Sequence, residues 1–192
     1  MTTHMTSGVK NLFTAIALVL LMLATRSDHF GSAISLPDAS LAVFLLAGFY
    51  LRRLPYFLMF CVLAVLSDYW AIQMRGVSSF CVTSAYGFLL PTYFCLWWAG
   101  FWGSKQELNG VGAWLKLAAA TLAAITLAFV FSSGSFYLFS GYFEPSWSEA
   151  AQRVALYFPR YLLTPLCYLG LAALFHRLLA GPVAALEPLR KR

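Results

Sequence analysis

The sequence predicts an all-α integral membrane protein with about six transmembrane helices, and three observations carry that expectation. Of its 192 residues 61% are hydrophobic and only 10% charged, with mean hydropathy +0.75, which excludes a soluble domain around one ordinary core. The apolar residues fall into about six runs close to the roughly 20 residues that cross a hydrocarbon core about 30 Å thick. Basic residues gather at alternate ends of those runs, the pattern that orients membrane helices.

The runs lie at residues 9–25, 36–51, 54–72, 81–102, 113–131 and 154–179. Lys10 stands at the start of the first, as in a secretory signal, but no small-x-small cleavage site closes it before Arg26, so it reads as a retained helix. The second is short, with soft boundaries. Pro91 is expected to kink the fourth helix, and Pro159 and Pro165 the sixth, widening the bundle at one level. With no low-complexity tract, repeat or room for a soluble domain, residues 1–192 read as a single transmembrane domain.

With the N-terminus inside, nine of the thirteen Lys and Arg fall on the cytoplasmic side, and only Arg26, Arg75, Arg153 and Arg160 outside. Five of the seven carboxylates go the other way: Asp28, Asp38, Asp68, Glu144 and Glu149. Both termini are therefore expected in the cytoplasm. The net charge of +6 follows from this bias and from attraction to anionic lipid headgroups, so no nucleic-acid partner is needed to explain it.

The inner connections are terse, whereas the outer ones, 26–35, 73–80 and 132–153, mix aromatic with polar residues. Residues 135–147 read Ser-Phe-Tyr-Leu-Phe-Ser-Gly-Tyr-Phe-Glu-Pro-Ser-Trp, too aromatic for a solvated linker. Phe80, Tyr142, Phe143 and Trp147 are thus candidates for a lid over a bulky ligand. Their plainer reading is an interfacial belt, where Tyr and Trp are enriched.

One polar constellation stands out at the outer level. Cys81 opens the fourth predicted helix, where a helix N-terminus lowers a thiol's pKa and favours the thiolate that binds metals or attacks electrophiles. Asp68, late in the third helix, is costly inside a membrane unless it works, its plainer role being a partner for Arg75 or Arg153. Tyr86 follows Cys81 by about one and a half turns. Cys61, Cys95 and Cys167 read as small hydrophobes, and His29 as a solvated loop histidine. No CxxC, HExxH, GxSxG or phosphate-binding loop occurs, and four cysteines without pair spacing give neither a disulfide framework nor a zinc site.

Ser67-Asp68-Tyr69 followed by Ser79-Phe80-Cys81-Val82-Thr83-Ser84-Ala85-Tyr86 resembles the BtuM family. These are small bacterial vitamin B12 transporters related to the substrate-binding S-components of energy-coupling factor (ECF) transporters. The likeness extends over nearly the whole chain in length and topology. It implies an ECF S-component-like bundle in the bacterial cytoplasmic (inner) membrane that captures cobalamin, as transported ligand and not as intrinsic cofactor, from the outer face. Cys81 would supply an axial ligand to cobalt, Asp68 and Tyr86 would line the pocket, and His29 and Arg153 would reach side chains of the corrinoid. Soft thiolate ligation suits a polarizable transition metal. A thiolate on one axial face would displace the nucleotide base and weaken the bond to cyanide on the other, so Cys81 is also the candidate for catalytic decyanation of cyanocobalamin.

The chain departs from S-components in one respect. Their first helix commonly carries Ala-xxx-Ala for docking on a coupling subunit, and Ala15, Ala17 and Ala24 lack that spacing. Small residues recur instead as Ala120, Ala124 and Ala128 on the fifth helix. An ECF ATPase and coupling module is thus a doubtful partner, and a solitary transporter at least as plausible. Two other classes stay open: a membrane enzyme with Cys81 as nucleophile and His29 as base, and a purely structural subunit, which leaves the thiol and carboxylate at one mouth unexplained.

Overall fold

A computed structural model describes residues 7–26, 36–107 and 110–190, with side chains as far as residue 176. His29 and Asp28 lie outside the described residues, as do both terminal segments. The described chain is helical without strands: α1 (Ser7–Arg26), α2 (Ser40–Tyr50), α3 (Leu54–Arg75), α4 (Leu89–Gly103), α5 (Val111–Phe129), α6 (Ser135–Phe139) and α7 (Trp147–Arg190). Four helical stretches are long and apolar enough to cross a membrane: Gly8–Arg26, Leu54–Arg75, Val111–Phe139 and Trp147–His176. Their flanks expose large side chains such as Leu12, Phe13, Leu58, Val62, Leu115 and Leu163, a surface suited to lipid.

The second run forms a helix shorter than its expected length. Residues 36–39 are non-helical, and Arg52 turns into the left-handed region at φ 58°, leaving α2 with 11 residues, about 16 Å. Apolar all round, it is buried along most of its length, as such a helix must be. Its tightest partner is α4. A Cβ on Gly48 would fall on the Trp97 carbonyl oxygen, and one on Gly100 on the Leu45 carbonyl oxygen, so two glycines let the backbones touch. Phe44 stacks on Tyr93 across the same seam, ring centroids 4.1 Å apart.

α3 starts with Pro55 in its first turn and stops at Gly76, which takes the left-handed cap conformation at φ 65°. The fourth run begins differently from its expected form. Ser78 and Thr83 cap two short 3₁₀ turns, Ser79–Cys81 and Ser84–Phe88, and α4 begins only at Leu89. Pro91 consequently sits in the first turn of α4, where its missing N–H costs nothing.

The connection 132–153 is mostly helix. A π turn, Val130–Gly134, absorbs the Ser-Ser-Gly sequence and carries α5 on into α6. α7 begins at Trp147 behind a cap in which Ser146 Oγ accepts the Glu149 N–H at 3.3 Å. Only residues 140–146 are left as a turn. Pro159 and Pro165 lie inside the continuous α7. Ala124 and Ala128 are buried in the bundle, so that part of the alanine stripe packs internally.

Candidate functional site

Four helices meet at the end of the bundle where α1 and α3 finish and α2 and α4 begin. Arg26, in the last turn of α1, is only 5% exposed there. Its Nε donates to Asp68 Oδ1 and its Nη2 to Asp68 Oδ2, both at 2.7 Å, a bidentate pair between α1 and α3. Its Nη1 donates to Ser40 Oγ and to Tyr93 Oη, each at 2.9 Å, and lies 3.6 Å from Asp38 Oδ2. Asp38 Oδ1 in turn accepts from the Ser40 N–H and Oγ at 2.9 and 2.6 Å, capping the start of α2. Thr25 ties the same corner by accepting the Ala39 N–H at 3.1 Å.

Asp68 therefore pairs with Arg26, rather than with Arg75 or Arg153. The reason is geometric: Asp38 and Ser40 fold back over the end of α1 and enclose Nη1, with Asp38 as a second counter-charge at 3.6 Å, while Nε and Nη2 face the α3 carboxylate. Tyr86 Oη donates to the second oxygen of that carboxylate at 2.7 Å, so two of the expected site residues are in direct contact. Burial, and then this bond to a charged acceptor, raise the Tyr86 phenol, keeping it a neutral donor.

Cys81 ends the first 3₁₀ turn instead of opening a helix, so it gains no help from a helix dipole. It reaches the surface, yet partial desolvation by its packed neighbours, and after that the charge of Asp68, push its thiol above the ordinary value. This reverses the direction expected from a helix N-terminus. The turn is fixed locally: Val82 N–H donates to Ser79 O at 2.8 Å, Thr83 N–H to Cys81 O at 3.2 Å, and Tyr86 N–H to Thr83 O at 3.0 Å.

The aromatic residues gather on the other side of this turn. Phe80 stacks on Tyr142 at 4.4 Å and meets Phe136 edge-on at 5.4 Å, while Phe88 stacks on Phe139 at 5.5 Å. The hairpin between α6 and α7 is held by its own contacts. Tyr137 Oη accepts the Ser146 N–H at 2.7 Å, and the Arg153 guanidinium lies 3.7 Å above the Phe143 ring while bonded to Glu149 at 2.8 Å. Arg153 thus belongs to the lid and not to the Asp68 cluster. Trp147, 93% exposed at the start of α7, makes no ring contact among the described residues.

Tyr168 of α7 donates to Pro37 O at 2.6 Å, which fixes the level of α7 against the start of α2. From Tyr168 back to Trp147 the helix runs about 32 Å. Beside Asp68, an apolar groove of about 430 Å³ opens between α1 and α3, lined by Leu23, Leu63, Leu66, Ser67, Trp70 and Arg75. The Ser67 hydroxyl is buried there without a hydrogen-bond partner among the described residues.

The Cys81 sulfur sits on a turn that reaches the Arg26/Asp68 cluster through Tyr86 and the aromatic hairpin through Phe80. Among the described residues no group of three or more His, Cys, Asp or Glu side chains could hold a bare metal ion. Arg26, Ser40 and Tyr93 are the site residues that sequence reasoning missed; the available signal was an arginine at the same outer level as an otherwise uncompensated Asp68. No protein-family model matches the chain, and no curated protein matches it.

Proposed function

We propose that the protein is an outer-facing binding protein for cobalamin or a related corrinoid, acting in its uptake across the bacterial cytoplasmic membrane. Both termini would lie in the cytoplasm, with six helical segments in the bilayer. The single observation that carries the reading is the placement of Cys81: an exposed thiol on a tethered turn at the outer end, between the Asp68/Tyr86 contact and the aromatic hairpin. A corrin ring occupies four positions around cobalt, so a single thiolate on one axial face would be the only donor the protein needs to supply. The aromatic side chains offer flat apolar surface to the ring.

The groove beside Asp68 lies at the lower end of small-molecule site volumes. Neither Cys81 nor the hairpin lines it, so a corrinoid on the Cys81 sulfur would need room elsewhere, gained by parting Phe80 from Tyr142 and lifting the hairpin. The thiol must shed its proton on binding cobalt, because only the thiolate ligates well. Once bound, it would labilise the opposite ligand and promote cyanide loss.

Accumulation of labelled cyanocobalamin in a bacterial strain without its own inner-membrane importer tests this. Expression of the chain should restore accumulation and Cys81→Ala should reduce it strongly. Equal accumulation with and without the expressed chain would refute the transport reading. Supply of ATPase and coupling subunits separately tells whether an ECF module contributes.

A further inference from the structure

Cys81 is joined to the helical bundle by a continuous chain of short contacts that begins at Arg26. The guanidinium fork grips Asp68 through both oxygens at 2.7 Å, which fixes the plane of the carboxylate. Asp68 Oδ2 accepts the Tyr86 hydroxyl at 2.7 Å. Tyr86 N–H reaches Thr83 O, and Thr83 N–H reaches Cys81 O. We infer that Arg26 is a positioning residue for the Cys81 thiol, acting through Asp68 and Tyr86. The use of that thiol rests on the corrinoid reading; the positioning does not.

A buried ion pair is a weak source of stability, because desolvating both charges offsets most of their attraction. Arg26 also spends its remaining donor group on Ser40 and Tyr93, with Asp38 at 3.6 Å, so four elements are registered against one rigid fork. On its other side, the Cys81 turn is held by Phe80 against Tyr142 and Phe136 and by the Ser84 hydroxyl on Phe139 O. Those contacts belong to the hairpin that must lift to admit a bulky ligand. When it lifts, the Arg26 chain of contacts remains, and the thiol stays with the bundle.

The test uses full-length protein in detergent with Cys61, Cys95 and Cys167 replaced by Ala, and follows alkylation of Cys81 by a small maleimide. Each rate is divided by the thiolate fraction read from its own pH profile. Tyr86→Phe and Arg26→Met should each raise the corrected rate by about tenfold, and the two together no further, since they break one chain of contacts. Arg26→Lys, which keeps the charge and loses the fork, should behave nearly as Arg26→Met. Loss of Arg26 lowers the melting temperature under either reading, but a merely structural Arg26 would have an effect on the corrected rate that multiplies with Tyr86→Phe. Multiplying effects, or a corrected rate within about twofold of the parent in Arg26→Met, would overturn the inference. Should Arg26→Met not fold, Arg26→Lys combined with Tyr86→Phe reads the same cycle. A passed cycle in a protein that retains no cobalamin would remove the ligand assignment and leave the positioning role standing.

Discussion

Arg26 and Asp68, 42 positions apart in sequence, meet through two parallel bonds of 2.7 Å at the junction of α1 and α3. Asp68 passes the contact on to Tyr86, and so ties a buried charge pair to the segment that carries Cys81.

Removing the positive partner leaves a carboxylate with little solvent and no counter-charge. Arg26→Met is expected to cost about 3–5 kcal/mol. Tyr86→Phe, which deletes one bond to a charged acceptor, should cost about 1.5–3 kcal/mol. Thermal unfolding in detergent ranks the two, and the reverse order would contradict the assignment of Arg26 as the hub.

The Cys81 thiol sits above its ordinary pKa, first through desolvation and then through Asp68. It is therefore protonated at neutral pH, and under the proposed ligation of cobalt it would release one proton. Apparent affinity should rise by about tenfold per pH unit as long as the pH stays below that pKa. Asp68→Asn removes a negative charge near the thiol, so its profile should move to lower pH. Titration of the corrinoid absorbance change between neutral and alkaline pH checks both signs.

The seam between α2 and α4 has no room for a methyl group. Gly48→Ala or Gly100→Ala should destabilise the protein by about 2–4 kcal/mol, because the new Cβ meets a backbone carbonyl that cannot swing aside. Gly112→Ala is the control: nothing lies within 4 Å of its added Cβ, and alanine favours the helix. Comparable losses at all three positions would mean the seam is not the cause.

These contacts show which parts of the molecule could be read in advance. Residues 9–25 and 54–72 became α1 and α3 with only small changes at their ends, since apolar length and basic flanks report spanning helices directly. The start of the fourth run was misjudged because hydropathy does not register the capping oxygens of Ser78 and Thr83, which turn residues 79–88 into two 3₁₀ turns. The Ser-Ser-Gly stretch looked like a helix end, yet a π turn accommodates it. Asp68 and Tyr86 were legible as neighbours. Arg26 was not, because an arginine closing an apolar run looks like an interfacial charge until Asp38 and Ser40 enclose it.

The hairpin above Cys81 closes on Arg153. Arg153→Ala loses the stacking on Phe143, about 0.5–1 kcal/mol, so the turn at 140–146 should open about two- to fivefold more often; the pair with Glu149 lies within α7 and does not hold the turn. Limited proteolysis within residues 140–146 should speed up accordingly, with little change in melting temperature. An unchanged cleavage rate would place the closing contacts elsewhere, on Phe80 and Tyr142.

The visible absorbance spectrum of purified protein incubated with cobalamin, recorded beside Cys81→Ala, tests the central claim most directly. A retained corrinoid whose bands shift in the parent protein and not in Cys81→Ala is the predicted result. A retained corrinoid with identical spectra in both would contradict thiolate ligation, and no retained corrinoid in either would contradict the corrinoid reading itself.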